Sequence, residues 1–238
     1  MAMHMKSTTN IHNTRFFTEA NLERMKDIMY DHHIDQGTYL YREGDAAKKL
    51  YFIQEGRVKL TKTTPEGKEF ILHMFHSGDL LGQMDPNESS THQFNAVAVE
   101  SCKVGMIQLR DLEVLLWQFG DLAVEFMKWM GTTQRITETK FRDLILFGKP
   151  GALCSTLIRL VHTYGEDTPE GKRITRKLTH TDLAEMIGAT RESVNRMIND
   201  LKQKDVLHME SGCIVVKDMD YLKDICHCEN CPLDICRI

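Results

Sequence analysis

The sequence predicts an α+β chain: an N-terminal antiparallel β-roll, one long helix, then a pair of short helices closed by a β-hairpin. Three observations predict this order. Glycine turn signals recur roughly every eleven residues between Tyr39 and Leu109, the spacing of short antiparallel strands. Apolar residues then repeat every three or four positions from about Asp121 to Phe147, the period of one helix face. Between Leu178 and Leu207 two helical patterns flank a glycine, and Ser211-Gly212 centres the strand-like run that follows, Val206 to Val216.

In the roll, the turns fall at Arg42-Glu43-Gly44-Asp45, Glu55-Gly56, Pro65-Glu66-Gly67 and Ser77-Gly78-Asp79. Strands are expected between them at Leu50-Tyr51-Phe52-Ile53, Val58-Lys59-Leu60-Thr61, Phe70-Ile71-Leu72-His73-Met74 and Ala96-Val97-Ala98-Val99. The long helix carries Leu122, Phe126, Trp129, Met130, Ile136, Leu144 and Ile145 on a narrow stripe, and Gly148-Lys149-Pro150 ends it. At the α-helical rise it spans about 40 Å, more than one small core needs, so the stripe is expected to be a homodimer seam. Leu153 to Tyr164 reads as a further helix, residues 165–172 as a loop, and Asp218 to Ile225 as a short helix leading into the tail. The expected divisions are 1–120, 121–149 (the dimerisation helix), 150–217 and 218–238 (the cysteine-rich tail).

The composition, 42% hydrophobic and 27% charged over 238 residues, is that of a globular chain with room for two domains. No apolar run approaches the roughly 18 residues of a membrane span, and Met1 to Asn10 lacks the apolar core of a secretion signal. A cytoplasmic location without membrane contact is expected. Seven cysteines, an odd number, argue for a reducing compartment rather than a disulfide framework. No glycine-rich phosphate loop and no nucleophile–base constellation stands out, which argues against an enzyme. Net charge is −4, but residues 172–204 hold eight Lys/Arg against four acids. That segment is locally basic in an otherwise acidic chain and points to an anionic partner.

The basic segment contains the paired helices. Thr179 with Asp182 three residues on approximates a capping box, Leu183, Ala184 and Ile187 form the buried face, and Gly188 permits the tight turn. Thr190 caps the second helix, whose inward residues are Val194, Met197, Ile198 and Leu201. Arg191, Glu192, Asn195 and Arg196 are left on the outer face near its N-terminus. A helix-turn-helix presents base-reading side chains to the major groove of double-stranded DNA in this way; Arg pairs with guanine O6/N7, and Glu accepts from cytosine N4.

The run Ala184-Glu185-Met186-Ile187-Gly188-Ala189-Thr190-Arg191-Glu192-Ser193-Val194-Asn195-Arg196, placed after a roll and a long helix, resembles the Crp/Fnr family of bacterial transcription regulators. The resemblance spans roughly residues 20–220. It implies a cyclic-nucleotide-binding-like roll, a winged helix-turn-helix, a homodimer, action as an activator and contact with RNA polymerase. By the same resemblance Arg191, Glu192 and Arg196 read bases, Thr179, His180 and Thr190 lie near phosphates, and the sites are palindromic and of TGTGA type. Members that bind cyclic AMP use a Gly-Glu pair and an Arg-Ser pair. Here the matching stretches are Gly82-Gln83-Met84-Asp85 and Gln93-Phe94-Asn95-Ala96. Without that guanidinium a buried cyclic phosphate lacks a counter-charge, which argues against cyclic nucleotide as effector.

The effector function then falls to the tail, where Cys226, Cys228, Cys231 and Cys236 crowd into the last thirteen residues. Thiolates at this spacing converge on a soft metal or an iron–sulfur cluster. Read from spacing alone, structural zinc on four cysteines stands beside a cluster. A C-terminal C-x2-C-x4-C resembles the Fnr branch found in bacilli, which implies a [4Fe–4S] cluster on Cys228, Cys231 and Cys236 that responds to oxygen. The fourth ligand stays open: Cys226 is nearest in sequence and His227 is another, while the resemblance implies Asp143 from the long helix. Cys102, Cys154 and Cys213 lie in strand or helix patterns and are expected to be buried small residues.

Overall fold

The computed structural model describes residues 12–84 and 89–238, which divide into two units, His12–Gln134 and Arg135–Ile238. The first unit begins with α1 (Glu19–Lys26), followed by β1 (Tyr30–Ile34), β2 (Tyr39–Tyr41), β3 (Lys49–Glu55), β4 (Arg57–Thr63), β5 (Glu69–His76), β6 (Leu80–Leu81), β7 (Asn95–Ala98), β8 (Cys102–Gln108) and α2 (Leu109–Gln118). The strands form two antiparallel four-stranded sheets, ordered β1-β8-β3-β6 and β2-β7-β4-β5. This is the predicted roll.

Cross-strand apolar pairs hold the registers: Leu50 opposite Ile107 and Ile53 opposite Val104 in one sheet, Val58 opposite Phe75 and Ala98 in the other. Tyr41, Tyr51, Ile53, Val58, Phe75 and Leu81 form one cluster built from both sheets. Met25, Leu50, Phe52, Ile107 and Leu112 form another, joined by Leu122, Phe126 and Trp129 of the long helix. Burying each such side chain contributes about 1.5–3 kcal/mol.

That helix, α3 (Gly120–Tyr164), is interrupted where the sequence predicts an end. Gly148 takes φ 60° and ψ −164°, outside helical geometry, a conformation that glycine alone adopts freely. Helix resumes immediately, with Pro150 in its first turn, where a missing N–H costs little. The break is a sharp kink between two helical arms. The apolar stripe divides as well: Leu122, Phe126 and Trp129 are buried within the first unit and Ile136 is buried in the second, whereas Met130 and Ile145 are exposed and Leu144 is half-buried. The N-terminal part of the expected seam is therefore core. Over one stretch α3 is long and apolar enough to cross a membrane, but most of that stretch is buried inside the protein. A core role accounts for its hydropathy.

After α3 come β9 (Gly165–Thr168), β10 (Gly171–Ile174), α4 (His180–Ile187), α5 (Arg191–Gln203), β11 (Leu207–Glu210), β12 (Cys213–Val216) and α6 (Met219–Ile225). Their sheet is ordered β11-β12-β10-β9. Residues 165–172, expected as a loop, are mostly a tight hairpin in which Gly171 pairs with Thr168 across Pro169-Glu170. Strand alternation is missing there because β9 is largely solvated, so the sequence shows only its turn residues. The predicted hairpin is thus half of a four-stranded wing, with Arg173 of β10 opposite Val215 of β12.

Candidate functional site

The helix pair is built by local bonds. The Asp182 N–H donates to Thr179 Oγ1 at 3.1 Å and the Thr179 N–H donates to Asp182 Oδ2 at 2.7 Å, closing the capping box that starts α4. Gly188 ends α4 at φ 61°, ψ 35°, the left-handed cap that a non-glycine residue enters only with strain. Thr190 Oγ1 accepts the Ser193 N–H at 3.2 Å and starts α5. Leu183, Ala184, Ile187, Val194, Ile198 and Leu201 are buried, with Met197 partly so, whereas Arg191, Glu192, Asn195 and Arg196 are exposed. Thr179 and Thr190 are exposed and His180 is partly buried. Burial lowers the His180 imidazole pKa, and the charges of Lys202 and Arg191 push the same way. A partly desolvated imidazole and two cations thus sit together near the start of the helix pair.

In the roll, the Gln83 side-chain amide donates to Ser90 Oγ at 3.2 Å, and Phe94 lies under the Lys62 ammonium, 5.8 Å from its ring centre. Lys62 Nζ also donates to the Gln93 carbonyl at 2.9 Å and to Glu43, while Asn95 Oδ1 accepts the Glu43 N–H. The nearby imidazole of His92 is buried and stacks on Tyr41 at 3.5 Å. Asp85 lies outside the described residues.

The tail packs onto both arms of α3. Cys226 and Cys236 are buried and Cys228 and Cys231 half-buried, all as free thiols. Burial pushes the Cys226 thiol up to about 12, with Cys228, Asp143 and Cys236 adding to the shift. Burial also pushes Cys236 up to about 11, against the pull of Arg159 and with Cys228, Cys231 and Asp143 adding to it. These mutual influences place the four thiols and the Asp143 carboxylate in one electrostatic neighbourhood. The Asn230 N–H donates to Cys228 Sγ at 3.4 Å, and both His227 and Asn230 take positive φ, a backbone cost that clusters at functional loops. Among the described residues no three His, Cys, Asp or Glu side chains are already converged as a metal-binding group.

Asp143 is buried, and both of its oxygens are engaged. Oδ1 accepts from Arg142 at 2.7 and 3.1 Å; Oδ2 accepts from Ser155 Oγ and, at 3.2 Å, from Arg159. Arg142 also pairs with Glu229 of the tail, and Phe147 stacks on His227 at 4.8 Å. Lys140, Arg159 and Arg237 lie close enough that the two arginines, after burial, push the Lys140 ammonium pKa well below its usual value. The donor set fits an anionic thiolate-ligated centre: several thiols and a carboxylate lie beside a local concentration of positive charge that bound thiolates would relieve.

Sequence reasoning singled out the cysteines and Asp143 but not Ser155, Arg159 and Glu229, which the structure bonds to Asp143, to its neighbour Arg142 and to the tail. One signal was available. Ser155 and Arg159 stand four residues apart in a helix whose Leu153, Leu157, Ile158 and Leu160 are all core, so with Thr156 they interrupt an apolar arm with buried polar groups.

Residues 31–118 match a family model described as a cyclic nucleotide-binding domain, and residues 151–225 one described as a Crp-like helix-turn-helix domain. An anaerobic regulatory protein of Bacillus subtilis (strain 168) is 43% identical over 91% of this chain and 92% of its own length. The cAMP-activated global transcriptional regulator CRP of Salmonella typhimurium is 26% identical over 84% of this chain and 95% of its own. Among solved structures, a CooA mutant from Carboxydothermus hydrogenoformans superposes with a TM-score of 0.74 at 19% identity, over 91% of this chain and 100% of that one, a likeness of fold.

Proposed function

The chain belongs to the Crp/Fnr family of DNA-binding transcription regulators, and from that premise we propose that it is an oxygen-responsive regulator controlled by a [4Fe–4S] cluster at its C-terminal tail. It is a regulator rather than an enzyme, as its relatives are. In this reading a cytoplasmic homodimer binds palindromic TGTGA-type sites and engages RNA polymerase. Arg191, Glu192, Asn195 and Arg196 address base edges from the exposed N-terminal turns of α5, while Thr179, His180 and Thr190 lie against phosphates. Cyclic nucleotide is not the effector, because Phe94 and Asn95 stand where the family's phosphate-binding pair would.

One observation carries the cluster reading: four tail thiols and the buried carboxylate of Asp143 share one neighbourhood with Arg142, Arg159, Lys140 and Arg237. The anaerobic regulatory role of the 43% identical relative supports the link to oxygen. A cluster held there supplies oxygen lability, since oxygen destroys it. Cys228, Cys231 and Cys236 would each give up a proton and hold iron, and Asp143 would supply the oxygen ligand. The protein must also move, because Asp143 has to exchange a partner among Arg142, Arg159 and Ser155 to do so. The kink at Gly148 lies between Asp143 and Ser155, so the exchange bears on the junction that leads into the DNA-binding domain.

The full engagement of both Asp143 oxygens favours a second reading, in which buried Cys226 completes four thiolates around zinc and the switch responds to thiol oxidants. Iron and sulfide analysis with an absorption spectrum of anaerobically purified protein separates the two. Zinc at full occupancy without sulfide ends the cluster reading. Asp143→Ala that still assembles a complete, oxygen-labile cluster moves the fourth ligand to Cys226 or His227.

A further inference from the structure

Arg159 is only 4% exposed, a costly place for a guanidinium unless its donors are used and its charge is balanced. Groups from three parts of the chain meet it. Nε donates to Ser155 Oγ at 3.2 Å, one turn back on the same helical arm. Nη2 donates to Thr139 Oγ1 at 3.1 Å and to Asp143 Oδ2 at 3.2 Å, both on the arm before Gly148. Nη1 donates to the Ile235 carbonyl at 2.9 Å, one residue before Cys236. Two more bonds secure the same end of the tail: His162 Nδ1 to the Cys236 carbonyl at 3.1 Å, and the Ile238 N–H to Thr163 Oγ1 at 3.2 Å.

We infer that Arg159 is the positioning residue of the tail, docking Ile235-Cys236 and holding Asp143 in register with it. One planar fork joins the helix before the kink, the helix after it and the cysteine segment, through protein contacts alone. Ordering a peptide segment costs backbone conformational entropy at each residue; contacts made through Arg159 offset that cost. A lysine offers a point charge on a flexible stem and cannot span the same acceptors. The functional consequence rests on the cluster reading: Cys236 and Asp143 would meet iron already aligned, and release of Asp143 from Arg159 would register in both helical arms.

The test uses full-length, reduced, metal-free protein, with site-resolved iodoacetamide alkylation and amide hydrogen exchange followed by mass spectrometry. In Arg159→Met, Cys236 is expected to alkylate about tenfold faster and the amides of residues 235–238 to exchange faster, as for a locally opened segment. Cys213 in the wing and the amides of α5 should keep wild-type rates. Arg159→Lys should leave Cys236 as reactive as Arg159→Met does. Wild-type protection of Cys236 in either variant overturns the assignment, and so does equal acceleration at Cys213, which marks general unfolding. If Arg159→Met does not fold, Ser155→Ala with Thr139→Val removes two partners of the guanidinium and should raise Cys236 reactivity about threefold; an unchanged rate overturns the assignment. The metal reading fails separately: zinc without sulfide in the wild type defeats the cluster and leaves these rates as they are.

Discussion

In the helix pair Arg191, Glu192, Asn195 and Arg196 stand outward on a helix whose cap bonds reach only three residues along the chain. In the tail the decisive contacts turn inward and cross 74 to 76 residues. The first arrangement puts charge in water, where it costs little and waits for a ligand. The second buries charge and must satisfy it within the protein, so its geometry depends on every partner at once. A reader of DNA suits the first. The sensor role proposed for the tail suits the second.

The largest expected effect tests that contrast at Asp143. Asp143→Ala removes the carboxylate between two arginines and should cost about 3–5 kcal/mol in urea unfolding of the Arg135–Ile238 unit. Asp143→Ala combined with Arg159→Met should recover part of that loss, because the second change removes the stranded charge. A simple sum of the two single losses would show that the charges are not coupled. Next, Ile198→Ala in the fully buried face of α5 should cost about 2–4 kcal/mol by the same measurement, with Cys236 protection in metal-free protein unchanged. Loss of that protection would mean that the helix pair and the tail are not independent.

Smaller again is the effect of Arg191→Ala on DNA. It should leave folding intact and reduce discrimination at one guanine by about 1–3 kcal/mol in competition binding across site variants. Unchanged base preference removes Arg191 from the reading set. The smallest is Thr190→Ala, which deletes the α5 cap and should lower stability by about 1 kcal/mol, a purely local loss readable as a shift of the unfolding midpoint.

Legibility followed the same divide. The capping box at Thr179 and Asp182, the turn at Gly188 and the exposed face of α5 were all readable, because each depends on residues within one helical turn. The roll was readable from its turns and alternating strands. The hairpin of β9 and β10 was not, since a solvated two-residue turn carries no apolar pattern. The stripe of α3 misled in part: periodicity marks which residues share a face but not what covers it, and Leu122, Phe126 and Trp129 proved to be core.

By itself the sequence determined the succession of roll, long helix and helix pair, the crowding of thiols in the tail and the charged face exposed on α5, because periodicity, caps and thiol spacing are local properties. Only the tertiary structure decided that Asp143 lies buried between Arg142, Arg159 and Ser155, and that Arg159 reaches the tail at Ile235. Those contacts join residues far apart along the chain, and a buried charge selects its partners by proximity in the folded state, which no run of neighbouring residues records.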